Sequence, residues 1–132
     1  MLTDAEMFSG FAVADIAAAR DFYQTTLGLD VVDVSLGVEG ADVPGGLEIR
    51  TGRDVRILVY PKADHEPAVF TILNFIVDDI EQAVDELSDR GVRFEHYDSP
   101  KTDAQGIHRT PEVHPVAWFR DPAGNLLSLI ER

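Results

Sequence analysis

The sequence predicts an α+β protein built from two halves, each with the element order βαβββ. An apolar strand followed by a capped amphipathic helix occurs twice, a glycine closes each helix, and turn signals separate the apolar runs that follow. The halves repeat at an offset of 63 to 64 residues. We therefore expect a first module over residues 1–63 and a second over residues 64–132, together forming one domain.

Each predicted helix begins after an aspartate and ends before a glycine. The carboxylates of Asp15 and Asp79 can accept hydrogen bonds from the unpaired amides of the first helical turn. Gly28 and Gly91 can adopt the left-handed conformation that follows the last turn. Apolar residues recur at helical spacing, so each helix is expected to lie on a sheet, as shown by Ile80, Ala83, Val84 and Leu87.

Short apolar runs bounded by turn residues predict the strands. In chain order they cover residues 8–13, 29–34, 46–51 and 55–60 in the first half, and 70–77, 92–97, 116–120 and 126–130 in the second. Asp54 and residues 121–125 predict the turns that join the last two strands of each half. Residues 37–40 and 44–46 are expected to be further turns, and residues 61–67 a linker.

Composition excludes several classes of function. The chain has 24 acidic and 11 basic residues, and its net charge of -13 would repel nucleic acid and anionic membranes. It has no cysteine, so disulfides and thiolate zinc sites are excluded. No apolar run approaches the length of a membrane span, and the acidic start lacks the basic region of a signal peptide. We expect a soluble, cytoplasmic protein.

Short motifs follow one another in a fixed order along nearly the whole chain. They are Val13-Ala-Asp15, Asp21-Phe-Tyr23, Leu27-Gly-Leu29, Val77-Asp-Asp79, Gly91-Val92 and Phe119-Arg-Asp-Pro-Ala-Gly-Asn125. In this order the chain resembles the glyoxalase, bleomycin-resistance and extradiol-dioxygenase superfamily, the vicinal oxygen chelate proteins. The resemblance implies two curved mixed sheets that enclose a cavity, commonly in a homodimer.

The resemblance also implies four positions for the ligands of a divalent cation. Here they hold Phe8, Leu58, Ile72 and Ser128, which offer one hydroxyl and no imidazole or carboxylate. The sequence therefore predicts no metal and no other cofactor, and it disfavours metal-dependent glyoxalase or dioxygenase chemistry.

Strand alternation then assigns candidate ligand-binding side chains to the cavity face. Asn74 is polar within an apolar strand, so it contacts either a ligand or a neighbouring polar group. Tyr60 and Trp118 could stack on a planar ligand, although core packing also accounts for Trp118. Arg56 would favour a carboxylate or phenolate if it faces the cavity, and is otherwise an exposed charge at a strand edge. The candidate set is Phe8, Arg56, Leu58, Tyr60, Ile72, Asn74, Trp118 and Ser128.

Residues 101–115 are expected to form a long polar loop that acts as a lid. His108, Arg109 and His114 lie in it and could supply acid and base groups or hold a metal ion. Their spacing matches no known ligand pattern, which favours the interpretation that the histidines are simply exposed.

Three functions remain open from the sequence. The first is a metal-independent protein that binds an apolar or aromatic small molecule. The second is a lyase or isomerase of the same superfamily, which would use His108, Arg109 or a shifted metal site. The third is a homodimeric interaction domain with a vestigial cavity.

Overall fold

A computed structural model describes residues 1–38 and 41–132, and their side chains outside residues 36–44. The chain divides into two compact units, Met1–His65 and Glu66–Arg132. Each unit has the order βαβββ and one four-stranded mixed sheet, so the predicted α+β class is confirmed. None of the described helices is long and apolar enough to cross a bilayer.

The first unit has a sheet with the strand order β1-β4-β3-β2. Strand β1 is parallel to β4, and the other neighbours are antiparallel. Helix α1 continues directly into a π-helical turn, so the single helix that the sequence predicts is present but is not α-helical throughout. The elements are β1 (Ser9–Val13), α1 (Ile16–Arg20), the π-helical turn (Asp21–Thr26), β2 (Asp30–Val38), β3 (Ala41–Arg50) and β4 (Arg56–Pro61).

The second unit repeats this arrangement with the strand order β5-β8-β7-β6. Strand β5 is parallel to β8, and β8 is antiparallel to β7. The elements are β5 (Thr71–Val77), α2 (Ile80–Asp89), β6 (Ile107–Thr110), β7 (Val113–Arg120) and β8 (Leu126–Glu131).

The predicted helix caps are confirmed. The Asp15 carboxylate accepts from the amides of Ala17 and Ala18 at 3.0 and 3.1 Å. The Asp79 carboxylate accepts from the amide of Gln82 at 3.0 Å. After the helices, Gly28 and Gly91 have φ angles of 70° and 93°, the left-handed conformation that a side chain would strain.

One face of each sheet is covered by the helix of the same unit. Because side chains alternate along a strand, every second side chain projects from the face that the helix does not cover. In the second unit α2 packs on β7 and β8, and Phe119, Leu127 and Leu129 are buried on that side. Trp118 and Ser128 therefore project from the opposite side, which we call the open face of the second sheet. In the first unit α1 packs on β3 and β4, above the buried Leu47, Ile49 and Val59.

The predicted strand over residues 92–97 is wrong. Only Phe94 makes a bridge, opposite Phe119, and the chain leaves the sheet after the amide of Glu95 donates to the carbonyl of Trp118 at 2.8 Å. The rest of the β7 edge is taken by β6. The intervening loop closes at Gly106, which has a φ of 87° and leaves only 3.0 Å between an added Cβ and the Glu95 carbonyl.

The predicted lid over residues 101–115 is also corrected. Residues 107–110 and 113–120 are the antiparallel strands β6 and β7, with Thr110 opposite Val113 across a tight turn. His108 and Arg109 consequently lie on β6, and His114 lies on β7. Strand β6 contains one apolar residue, Ile107, followed by three polar ones, so this short edge strand has the composition of a loop. This is why the sequence misleads here.

Residues 44–46 are not a turn but part of β3. The register slips there, because Val34 pairs with Gly46 while Leu36 pairs with Val43. The extra residue on β3 makes a bulge, and proline and glycine are tolerated at bulges. The predicted turn over residues 37–40 falls partly outside the described residues, at positions 39 and 40.

The turn between β7 and β8 depends on one buried carboxylate. Asp121 is 5% exposed and accepts from the amides of Ala123 and Asn125, both at 2.9 Å, and from the Asn125 side chain at 3.0 Å. The side chain thus satisfies donors that water cannot reach easily.

Asp121→Ala should lower the free energy of unfolding by about 2–4 kcal/mol, because it leaves buried donors without their acceptor. Urea denaturation measures the change. Asp89→Ala, at the exposed end of α2, is the control and should change stability by less than about 0.5 kcal/mol. Equal effects of the two substitutions would contradict this account of the turn.

Candidate functional site

Three candidate side chains lie side by side on the open face of the second sheet. Asn74 of β5 pairs with Ser128 of β8, and Ser128 pairs with Trp118 of β7. The alternation that placed Trp118 on this face is therefore consistent with the observed register. Ile72 is different, because β5 has a bulge between Thr71 and Leu73 and Ile72 has no partner on β8.

The Asn74 amide is oriented by Ser128. The Ser128 hydroxyl donates to Asn74 Oδ1 at 2.6 Å, and Ser128 is only 1% exposed. One half of the amide is thus satisfied by a neighbouring side chain, which was the alternative to ligand binding. The other half, the Nδ2 amino group, makes no hydrogen bond within the described residues and belongs to an exposed side chain. Asn74 therefore presents two N–H donors on the open face.

An aromatic cluster adjoins this pair. The ring of Tyr97 meets Trp118 edge to face with centroids 5.6 Å apart, and the ring of His108 lies 6.2 Å from Trp118. Sequence reasoning missed Tyr97, since it assigned residues 92–97 to a regular strand. Trp118 is half-buried, so part of the indole remains available to a ligand.

His108 has a fixed hydrogen-bond partner. Its Nδ1 lies 2.7 Å from the backbone carbonyl oxygen of Lys101. His114, by contrast, is exposed on β7 and forms no hydrogen bond with the described part of the chain. The structure thus gives His108 a defined orientation and gives His114 none.

Arg109 holds β6 to helix α2. Its guanidinium donates to Asp103 at 2.9 Å and to Glu81, near the start of α2, at 2.7 Å. Asp103 also accepts from the amides of Gln105 and Ile107, both at 2.9 Å. With both carboxylates engaged, the arrangement favours a structural role for Arg109 over a catalytic one.

In the first unit, a groove of about 490 Å³ contains three more candidates. Phe8, Leu58 and Arg56 line it, together with Glu48, which sequence reasoning missed. The Glu48 side chain is only 17% exposed and accepts from Arg50 Nε at 2.7 Å. The sequence indicates Glu48 only as a carboxylate between Leu47 and Ile49, which are two buried residues of β3. Tyr60 is half-buried beside Ala12 and is not part of the groove lining.

Arg56 borders a second groove, of about 440 Å³, at the β3–β4 hairpin. It lies directly opposite Arg50, and like charges in this position repel each other. Arg50 is balanced by Glu48, whereas Arg56 is exposed and has no ion pair among the residues described. Arg56 is thus available to an anionic group.

The four positions that the resemblance implies for a metal do not fit one. Phe8, Leu58 and Ile72 carry no donor atom, and the Ser128 hydroxyl is engaged with Asn74. Within residues 1–38 and 41–132, no group of three His, Asp or Glu side chains could hold a metal ion.

Shifted pKa values occur at surface ion pairs outside these sites. A hydrogen bond from Arg20 lowers the pKa of Asp33, and a hydrogen bond from Lys62 lowers the pKa of Asp64. Both carboxylates are exposed, so these shifts reflect ordinary surface pairing.

Comparison with known proteins gives consistent matches. The model of the Glyoxalase/Bleomycin resistance protein/Dioxygenase superfamily matches residues 8–129. A superfamily member from Sphaerobacter thermophilus shares 24% identity, with a TM-score of 0.71 over 96% of this chain and 98% of that one. TnmS3, an antibiotic binding protein from Streptomyces sp. CB03234, shares 24% identity, with a TM-score of 0.67 over 98% of both chains.

Lactoylglutathione lyase from Agrobacterium tumefaciens shares 26% identity, with a TM-score of 0.60 over 99% of this chain and 96% of that one. No curated protein matches the chain significantly. The structural neighbours thus include both a binding protein and an enzyme.

His108→Ala should shift the fluorescence emission of Trp118 to longer wavelengths, because loss of the imidazole exposes the indole to water. Trp118 is the only tryptophan in the chain, so steady-state fluorescence reports on it directly. His96→Ala is the control, since His96 is exposed in the groove beside α2. An unchanged spectrum for His108→Ala would contradict the contact between the two rings.

Proposed function

Because the chain belongs to the glyoxalase/bleomycin resistance protein/dioxygenase superfamily, we propose that it binds an aromatic small molecule without a metal ion. The observation that carries this proposal is the Asn74–Ser128 hydrogen bond beside Trp118. It orients an amide donor next to an indole, and a few placed polar groups among apolar surfaces are typical of a small-molecule site.

Both stacking and hydrogen bonding would contribute to recognition of the ligand. The half-buried indole offers an apolar face to a planar ring. The Asn74 amino group offers donors to a carbonyl or ether oxygen, and a net hydrogen bond contributes about 1 kcal/mol. The antibiotic-binding neighbour TnmS3 supports a sequestering role of this kind. Because the two chains share only 24% identity, the ligand of this chain is inferred from its own side chains.

The groove of the first unit supports a ligand with an apolar body and an acidic edge. Phe8 is 66% exposed and Met7 is 94% exposed, so the groove presents apolar surface that a ligand would cover. Arg56, which has no ion pair with any described residue, lies at its border. A carboxylate or phenolate would pair with this guanidinium.

The enzymatic alternative has less support from the geometry. Lactoylglutathione lyase is a structural neighbour, but three of the four side chains at the implied metal positions have no donor atom. Arg109 is held by two carboxylates. Among the groups proposed for catalysis, His108 alone is both oriented and placed beside the candidate site.

Asn74→Leu should weaken an aromatic ligand about fivefold, because it removes one net hydrogen bond to the ligand with a side chain of similar shape. It should also lower the free energy of unfolding by about 1–3 kcal/mol, because the buried Ser128 hydroxyl loses its acceptor, and the protein should still fold. Ligands are first selected by thermal shift and then titrated while Trp118 fluorescence is followed. Ser128→Ala is the matched variant. It keeps the Asn74 donors but frees the amide to rotate, so its effect should be smaller. Unchanged affinity in Asn74→Leu would place the site elsewhere.

A second test concerns the metal. After mild dialysis, elemental analysis should find less than stoichiometric nickel, zinc, iron and manganese, since the implied positions lack carboxylate and imidazole ligands. Added zinc should not raise the melting temperature of the protein. One metal ion per chain, lost on Glu48→Gln, would show a shifted site in the first-unit groove and would overturn the metal-independent proposal.

A further inference from the structure

We propose that His108 is the proton-accepting contact of this site and that the ligand class is a polycyclic aromatic carrying a hydroxyl group. This inference rests on the proposed function, and it adds both a residue and a ligand chemistry to it.

The hydrogen bond to Lys101 fixes the tautomer of His108. A backbone carbonyl oxygen only accepts, so the Nδ1 atom that lies 2.7 Å away must carry the hydrogen. In the neutral imidazole, Nε2 is then left with its lone pair. Nδ1 protonation is the minor form of a free imidazole, so the carbonyl selects a state in which Nε2 accepts.

The Nε2 atom is available to a ligand. It forms no hydrogen bond with the described residues. Among these residues, the buried side-chain nitrogen without a partner belongs to His65 and not to His108. The imidazole lies beside Trp118, its centroid 6.2 Å from the indole centroid. A ring stacked on the indole can therefore bring a hydroxyl group to Nε2.

The strand carrying His108 is held in place from its other side. Arg109, the next residue, is bound by Asp103 and Glu81, which joins β6 to the start of α2. Neighbouring residues of a strand project to opposite faces, so this attachment leaves the imidazole of His108 on the open face. An anchored edge strand positions a contact more sharply than a mobile loop does.

The spacing of the strands sets the size of the ligand. Asn74 on β5 and His108 on β6 are separated by three strand spacings, about 14 Å across the sheet. They are also offset by about 7 Å along the strands, because Asn74 is level with Trp118 whereas His108 pairs with Val116. A single ring could meet one of the two groups, whereas a planar system of two or more rings could meet both. The amide of Asn74 donates and Nε2 of His108 accepts, so the matching ligand has an oxygen acceptor at one end and a hydroxyl at the other.

A nuclear magnetic resonance measurement on the ligand-free protein tests the tautomer. Long-range ¹H–¹⁵N correlation spectra of the four histidine rings distinguish the two nitrogens of each. The signals of His108 are identified by their loss in His108→Asn. We expect the neutral ring of His108 to carry its hydrogen on Nδ1. An Nε2–H form would overturn the proposal without affecting the proposed function.

Binding of two matched probes tests the ligand class. Calorimetric titration with 2-naphthol and 2-methoxynaphthalene compares compounds that differ in the donor hydrogen. Wild-type protein should bind 2-naphthol about fivefold more tightly. His108→Asn should abolish this preference, because its amide can still donate to Lys101 but has no group at the Nε2 position. His108→Gln, which brings an amide oxygen near that position, should retain part of it.

The outcomes separate the two proposals. Equal affinity for both probes in the wild-type protein would overturn the role of His108 while supporting an aromatic-binding site. A preference for 2-naphthol that persists in His108→Asn would also overturn it. If neither probe binds at millimolar concentration, the hydroxyaromatic class is overturned, and the proposed function is judged by the Asn74→Leu titration with ligands from the screen.

Discussion

The parallel pairing of β5 with β8 is the constraint on which the candidate site depends. It sets Asn74 beside Ser128, and the antiparallel pairing of β8 with β7 sets Ser128 beside Trp118. Because side chains alternate along a strand, a slip of β8 by one residue would send Ser128 to the helix-covered side and separate it from the other two side chains. The buried leucines of β8 prevent that slip, since it would expose Leu127 and Leu129 to water. The hydrophobic packing on one face thus fixes the polar chemistry on the other.

In the hairpin of β6 and β7, the neighbouring residues His108 and Arg109 have different roles. Arg109 and Asp103 tie the hairpin and its preceding loop to helix α2, and His108 projects from the opposite side. Surface ion pairs contribute little stability one at a time, but a guanidinium shared by two carboxylates restricts orientation. This network therefore acts mainly by holding β6 in position, since β6 is an edge strand that pairs only with β7 in the described sheet.

The sequence was sufficient for the fold class, the two helix caps and the closing glycines, because these follow from local rules of hydrogen bonding and periodicity. It misassigned residues 92–97 and 107–110 because two segments compete for one strand edge. Only the three-dimensional closure at Asp103 and Gly106 decides which of them extends β7. The sequence placed Asn74 and Trp118 on the same face of the sheet, which agrees with the observed register, and their role in binding stays a prediction. Glu48, Tyr97 and the oriented ring of His108 depend on contacts between segments distant in the chain.

The π-helical turn over Asp21–Thr26 has a consequence for how the two halves correspond. The capping aspartates, Asp15 and Asp79, are 64 positions apart, whereas the closing glycines, Gly28 and Gly91, are 63 apart. A π-helical turn holds one more residue than an α-helical turn without breaking the helix. The first helix thus contains one more residue than the second, and the π-helical turn accommodates it. A comparison between the two halves therefore needs a gap at this turn if it is to match Asp15 with Asp79 and also Gly28 with Gly91.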